Sequence, residues 1–342
     1  MTAEAAFTRI GVVGAGAWGT ALAQLFAGNG ADVVLWARRA AVADGIAAAR
    51  ENRDYLPGVA LHERVRATHD LAALATVDAV AFVTPIQAAR PHIAALERVA
   101  PIGVPVLLCS KGVERDTHAL LTEVFAEVWP AAPRAVLSGP SFAADVARGM
   151  PTAVTLACAD DALAARWSAS LAAPHFRPYR SRDLVGVELA GAVKNVLAVA
   201  AGVAEGRGLG ASARAAVIAR GFAELARLAG ALGAEPETLT GLSGLGDLVL
   251  TATSTQSRNM VLGRALGAGE TLEAHLAGRR TVAEGAAAAA GVVALGRKAG
   301  VDLPICAAVA DLVAGARTLD AIVADLLARP LPDAEHPARR GD

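Results

Sequence analysis

The segment Gly14-Ala15-Gly16-Ala17-Trp18-Gly19 constrains this chain more than any other. It is a GxGxxG run set directly after an apolar strand pattern, Ile10–Val13, and directly before a helical pattern beginning near Thr20. In that context Gly14 permits a tight turn, Gly16 lets the backbone approach a pyrophosphate, and Gly19 lets helix and strand pack closely. The helix start adds unpaired N–H groups and a partial positive charge that suit phosphate. A glycine-rich turn without a ligand is the bland alternative, and the strand–turn–helix context disfavours it.

Short apolar runs recur at Arg9–Val13, Asp32–Trp36, Asp78–Thr84 and Val104–Cys109, with little alternation, as in strands buried on both faces. Thr20–Gly28 and Gln87–Ala100 between them read as helices. Further on, Ala135–Leu137, Thr152–Cys158 and His175–Tyr179 read as strands and Asp160–Leu171 as a helix. The pattern predicts an α/β fold: a Rossmann-type, doubly wound parallel sheet over residues 1–185. After about Leu184 the β-branched clusters disappear. Glu188–Ala204, Ala211–Leu232, Asn259–Leu266, Thr281–Ala299 and Ala307–Ala316 have helical spacing, with glycine-rich turns at Gly206–Gly210 and Gly241–Gly246. An all-helical substrate and catalytic domain is expected over residues 186–328, and a flexible, proline- and charge-rich tail over 329–342.

With 342 residues, 54% of them hydrophobic and 19% charged, a disordered chain is excluded. Lys plus Arg number 32 against 33 Asp plus Glu, so no global basic field draws the protein to nucleic acid. The longest apolar stretch, Leu189–Ala204, holds Lys194 and Asn195 at its middle, which argues against membrane insertion. The N-terminus lacks the pattern of a signal peptide. Cys109, Cys158 and Cys306 are isolated, arguing against a disulfide framework or a zinc site. The seven histidines fall in no ligand-like spacing, so no metal is expected. These features predict a reduced, cytoplasmic protein, and the apolar helical domain is compatible with a homodimer.

Four clusters carry chemistry. Arg38 and Arg39 follow the second strand where an NAD site usually has an acid. Their charge suits a 2′-phosphate, favouring NADP(H) and leaving NAD(H) open, while solvation of the next helix start is the alternative. Lys111, in Ser110-Lys111-Gly112, stands at a strand's carboxyl end, where ligands bind in open sheets, although such a lysine is often a solvated loop residue. Lys194 lies on a helix almost free of charge, among Ala190, Leu197, Ala198 and Ala201. Burial there lowers an amine's pKa toward a range useful for proton transfer, unless the head snorkels to water. Asp247, after the glycine-rich Gly241–Gly246, can pair with a nearby lysine. Ser257, Arg258 and Asn259 offer donors matched to phosphate, although helix capping explains Ser257 and Asn259 equally well.

The chain resembles the bacterial NAD(P)-dependent glycerol-3-phosphate dehydrogenases over about residues 8–320. The matching segments are GAGAWGTALA at 14–23, VVLWARR at 33–39, SKGVE at 110–114 and LSGPSFAADVARGMPTA at 137–153. They continue with GVELAGAVKNVLAVAAG at 186–202, GLSGLGDLVLTATSTQSRN at 241–259 and VAEG at 282–285. The resemblance implies reversible oxidation of sn-glycerol 3-phosphate to dihydroxyacetone phosphate, run mostly as reduction to feed phospholipid synthesis. It implies Lys194 as the proton acceptor in oxidation, and Lys111, Gly139, Ser141, Lys194, Asp247, Ser257, Arg258 and Asn259 at the substrate. Around the cofactor it implies Ala17, Trp18, Arg38, Lys111, Ala143, Arg258, Val282 and Glu284, beside the glycines Gly14, Gly16 and Gly19 and the second arginine, Arg39. Two rivals differ from it: a 6-phosphogluconate or 3-hydroxyacid type of dehydrogenase, whose substrates carry a carboxylate, and a non-catalytic NADP-binding sensor. The motif at 241–259 speaks against the first, and Lys194 with Arg258 against the second.

Overall fold

A computed structural model describes residues 5–277 and 283–329. The first part of the chain builds a sheet from β1 (Arg9–Val13), β2 (Asp32–Trp36), β5 (Val65–Thr68), β6 (Ala79–Phe82), β7 (Val106–Leu108), β8 (Arg134–Ser138), β9 (Thr152–Ala157) and β10 (Phe176–Ser181), while β3 (Glu51–Asn52) and β4 (Leu56–Ala60) form a separate antiparallel pair. The sheet order is β10-β9-β8-β7-β6-β1-β2-β5. Helices α1 (Ala17–Gly28), α2 (Ala40–Ala49), α3 (Ala89–Val99), α4 (Leu121–Val128), α5 (Ala143–Ala147) and α6 (Asp161–Leu171) connect the strands. Side chains of one strand serve both layers: Ala79 and Ala81 of β6 join the core containing Phe26 and Trp167, while Val80 and Phe82 join the core containing Phe125 and Trp129. Burial on both faces is why these strands read as continuous apolar runs.

The sheet departs from the expected one in two ways. It is not wholly parallel: β9 runs antiparallel to β8, with Val136 opposite Ala157, although β9 and β10 are parallel. The chain from Ser138 to Thr152 is spent on the Gly139–Phe142 turn and the short α5, which leaves too little to cross back over the sheet. Strands β3, β4 and β5 were absent from the expected set, because LPGVA carries Pro and Gly and VRAT an arginine, weakening any strand pattern.

From Leu184 on, the described chain is helical: α7 (Leu184–Gly206), α8 (Gly210–Ala231), α9 (Pro236–Thr240), α10 (Asp247–Thr253), α11 (Arg258–Gly267), α12 (Leu272–Leu276), α13 (Glu284–Lys298), α14 (Pro304–Val313) and α15 (Leu319–Ala328). Residues 242–246, expected as a turn, instead form a π-helical turn running into α10. Gly244 makes this conformation accessible, since a Cβ there would collide with the Leu239 backbone. Val282 and residues 330–342 of the expected tail lie outside the described residues.

Helix α7 is the axis of this part. Asp183 starts it: one carboxylate oxygen accepts from Gly186 N at 2.7 Å and the other from Glu235 N at 2.8 Å, just ahead of α9. By length and composition α7 could cross a membrane, yet 89% of its most apolar window is buried inside the fold. Glycines let its neighbours come close. A Cβ on Gly263 of α11 would lie under 3.0 Å from the Val199 carbonyl oxygen, and one on Gly202 of α7 under 3.0 Å from that of Met260. The two backbones are thus nearly in contact, which seats the start of α11 beside the middle of α7. Gly263→Ala is expected to lower the unfolding free energy by about 3 kcal/mol in urea denaturation. Gly230→Ala, on α8 where a Cβ meets nothing within 4 Å, is expected to raise it by about 0.5–1 kcal/mol. Equal effects at the two positions would contradict this account of the helix crossing.

Candidate active site

The carboxyl ends of β7 and β8 come up against the middle of α7, where a Cβ on Gly191 would lie 3.2 Å from Ser138 Oγ and 3.4 Å from Lys111 Cγ. Lys111 follows β7, Gly139 follows β8, and the turn after β1 supplies Gly14 and Gly16, with Gly19 in the first turn of α1. Gly14 has φ +122° and Gly139 +146°, both in the left-handed region that favours glycine. A Cβ on Gly139 would also lie 2.8 Å from Val154 Cα. Gly16 is different: nothing stands within 4 Å of where its Cβ would be. Gly16 caps α1 without a side-chain hydrogen bond, and the first turn holds no acidic residue. Open space beside an uncapped helix start fits a dinucleotide pyrophosphate. Ala17 and Trp18, half-buried, begin α1 at the same place.

The chain has only three lysines, Lys111, Lys194 and Lys298, and two of them meet here. Lys194 Nζ lies 2.5 Å from Asp247 Oδ1, and Lys111 Nζ lies 2.8 Å from Asp247 Oδ2. Lys194 also donates to Thr251 Oγ1 at 3.0 Å, and that hydroxyl donates to Asp247 Oδ1 at 3.3 Å. The side chains of Lys194 and Asp247 are 7% and 2% exposed, against 18% for Lys111, so the carboxylate is shared away from water.

Burial pushes the Lys194 amine down to about 7; the Asp247 carboxylate works against that shift, and the Lys111 charge adds to it. Burial also disfavours the Lys111 charge, but the Asp247 carboxylate beside it outweighs burial and holds Lys111 above the ordinary lysine value. Burial alone would raise Asp247, and the two amines together hold it below the usual carboxylate range. Near neutral pH the cluster therefore contains one fixed cation, one fixed anion and one amine poised to give or take a proton.

Around this centre the sequence-predicted residues divide into two kinds. Ser257 caps α11, accepting from Met260 N at 3.2 Å, so the capping alternative describes its present contact. Asn259 is also engaged: Nδ2 donates to Asn195 Oδ1 at 2.9 Å, and Oδ1 accepts from Gly285 N at 2.9 Å. Asn195 Nδ2 in turn donates to Glu284 Oε2 at 3.2 Å. Ser141 donates to the Gly139 carbonyl at 2.9 Å, and Ala143 opens α5. Arg258 is exposed and makes no ion pair or hydrogen bond to a described residue. Of the two arginines after β2, Arg39 donates to the Tyr55 hydroxyl at 2.8 Å, whereas Arg38 is exposed beside His92, whose imidazole pKa is lowered by burial and by the Arg38 charge. The structure brings Lys111, Lys194 and Asp247 into direct contact and Asn259 and Glu284 together through Asn195. It sets Arg38 and Arg39 apart, at the end of β2.

Two site neighbours were not singled out from sequence. Thr251 lies one helical turn beyond Asp247, and Asn195 directly follows Lys194. The scarcity of lysine in an arginine-rich chain would have marked Lys111 and Lys194 together, because arginine cannot release its proton. Removing the shared carboxylate leaves two buried amines without a counter-charge. Asp247→Asn is accordingly expected to lower stability at pH 6 by about 3–5 kcal/mol in urea denaturation. An unchanged unfolding midpoint would show that the carboxylate does not hold the pair.

Comparison with known proteins agrees with this architecture. Residues 9–164 match the model of the NAD-dependent glycerol-3-phosphate dehydrogenase N-terminus, and residues 183–324 match that of its C-terminus. A protein of Parvibaculum lavamentivorans called glycerol-3-phosphate dehydrogenase [NAD(P)+] is 57% identical, over 95% of this chain and 98% of the relative. One of the same name from Caulobacter vibrioides is 56% identical, over 95% and 98%. The crystal structure of glycerol-3-phosphate dehydrogenase from Coxiella burnetii superposes with a TM-score of 0.91 at 38% identity, covering 94% of this chain and 99% of that one. A ketopantoate reductase from Ralstonia eutropha, at 17% identity and a TM-score of 0.60, shares the fold alone. With both halves matched, the chain belongs to the bacterial NAD(P)-dependent glycerol-3-phosphate dehydrogenases, oxidoreductases acting on CH–OH.

Proposed function

We propose that this chain transfers hydride reversibly between NAD(P)H and dihydroxyacetone phosphate, giving sn-glycerol 3-phosphate, with Lys194 as proton donor and acceptor. The observation that carries this reading is the single Asp247 carboxylate shared by Lys194 and Lys111. A bound nicotinamide dinucleotide supplies or accepts the hydride, and the protein supplies position, charge and the proton. The glycine turn of Gly14, Gly16 and Gly19, with Ala17 and Trp18, holds the pyrophosphate. Arg38, with Arg39 next to it, faces the 2′-phosphate that favours NADP(H); Ala143 and Glu284 line the remainder.

In reduction, protonated Lys194 faces the C2 oxygen and gives up its proton as that oxygen becomes an alkoxide. In oxidation the neutral amine takes the hydroxyl proton. Lys111 stays charged and stabilises developing negative charge, an interaction stronger in the transition state than in the ketone. Asp247 fixes both amines, and Thr251 orients Lys194. Arg258, exposed at the start of α11, reaches the substrate phosphate with Ser257 and Asn259, while Gly139 and Ser141 border the three-carbon unit. Anchoring the phosphate fixes C2 against the nicotinamide and makes the encounter nearly unimolecular. The product is the backbone precursor of phospholipids. A cytoplasmic setting fits the three isolated thiols, and a homodimer is the assembly that sedimentation would reveal.

The test is NADPH consumption with dihydroxyacetone phosphate, run beside NADH and beside keto acids. Lys194→Ala is expected to lower kcat roughly 10³-fold with cofactor affinity unchanged, and intact turnover would remove Lys194 from the reaction. Arg258→Ala is expected to raise the KM for dihydroxyacetone phosphate roughly 10- to 100-fold. Because the Lys194 amine titrates at about 7, the oxidation rate should rise with pH through that region as the base forms. The reduction rate should fall through it as the acid is lost. Profiles of the same sign in both directions would contradict the assignment.

A further inference from the structure

The connection that carries Lys111, between β7 and α4, runs beside the connection between β6 and α3, and ties on either side of Lys111 hold the two together. Ser110 Oγ donates to the Thr84 carbonyl at 2.5 Å. On the other side of the lysine, the Gln87 amide spans the gap twice: Nε2 donates to the Val113 carbonyl at 2.8 Å, and Oε1 accepts from Arg115 N at 3.0 Å. Near the start of α3, Arg90 Nε lies 2.8 and 2.9 Å from the two carboxylate oxygens of the buried Glu114. Between these ties Gly112 turns the chain at φ +121°, and a Cβ there would lie 3.1 Å from Ile86 Cγ2. The same β6 connection borders the glycine turn, since a Cβ on Gly14 would lie 3.0 Å from the Val83 carbonyl carbon.

We propose that Gln87 is a positioning residue for the reaction, bracing the Lys111 connection so that the amine reaches Asp247 Oδ2. The inference rests on the reading of Lys111 as a substrate contact. Gln87 makes no contact with Asp247 or Lys194 and acts through the backbone on either side of its two hydrogen bonds. Without them, the Arg90–Glu114 pair is the one hydrogen-bonded tie that remains, among the described residues, between the Val113–Arg115 segment and the β6 side, because the bonds of Glu114 with Thr117, His118 and Ala119 are local to its own connection, and Lys111 samples positions displaced from the shared carboxylate. A displacement of about 1 Å in a group that stabilises charge costs up to ~100-fold in rate. Because the brace joins the cofactor cradle to the lysine, a shift at one strand end is passed to the other.

The experiment is a double-mutant cycle with Gln87→Met, which keeps the side-chain length and removes both hydrogen bonds, and Lys111→Met. Values of kcat/KM for dihydroxyacetone phosphate are measured at saturating NADPH for the parent, both single variants and the double variant, with thermal midpoints recorded throughout. Gln87→Met is expected to lower kcat/KM roughly 10-fold or more. In the Lys111→Met background the same change is expected to have no further effect, because the group it positions is gone. Independent, multiplying effects would overturn the proposal, as would an altered thermal midpoint with unchanged kcat/KM. If Lys111→Met itself leaves kcat/KM unchanged, the substrate role of Lys111 falls and the positioning role falls with it. Glu114→Gln gives a second reading of the same loop: a loss that also vanishes without Lys111 supports the brace, and a multiplying loss contradicts it.

Discussion

A single carboxylate, Asp247, meets two amines in a space nearly closed to water, and the rest of the structure holds that arrangement in place. One anion cannot fully compensate two cations there, so one amine must give way. The geometry decides which. Lys111 is the more exposed of the two and keeps its charge, while Lys194 is enclosed by α7 and its neighbours and sheds its proton near neutrality. The competition turns two chemically identical side chains into a permanent cation and a proton carrier. Two carboxylates sharing one site produce the same kind of division with the opposite sign.

Holding this cluster together takes most of the second half of the chain. Asp183 uses its two oxygens to tie the start of α7 to the residue before α9, and so links the helix bearing Lys194 to the segment leading to Asp247. The glycines of α11 bring its first residues beside α7, and Gly285 of α13 sits against the Asn195 carbonyl. Glu188, also on α7, accepts from Thr122 N at 3.0 Å and so joins the central helix to α4 of the sheet domain. Burial raises the Glu188 carboxyl to about 7. Between the ordinary carboxylate range and that value only the folded state holds this proton, so Glu188 lends less stability as pH rises through the interval.

Much of this was legible in the residues alone, for physical reasons. Strands β1 and β2 stood out because burial on both faces demands unbroken apolar runs, and Lys194 because a charge on an apolar helix is conspicuous. Strands β4 and β5, short and interrupted by Pro, Gly or Arg, carry no such pattern. The reversal of β9 depends on how far a short connection can travel, which periodicity does not encode. The glycines at 241–246 signalled a turn, whereas close packing against Leu239 used them for a π-helical turn. At the site, Asp247 could be expected to pair with one lysine. That it binds both follows only from the meeting of β7, α7 and α10, which sets Lys111 against a carboxylate 136 positions further along the chain. Ser257 and Asn259 show the converse: their types suit an anion, and their present contacts are a cap and an amide relay.

The most direct test is the titration of the lysine amines by NMR on protein carrying isotope-labelled lysine. With three lysines in the chain, the spectrum is simple, and loss of one signal in a Lys194→Ala variant assigns it. The account predicts that the Lys194 signal titrates at about 7 while that of Lys111 stays protonated well above. A Lys194 signal that titrates with the ordinary lysines would contradict it, because the amine would then have no proton to exchange at the pH where the reaction runs.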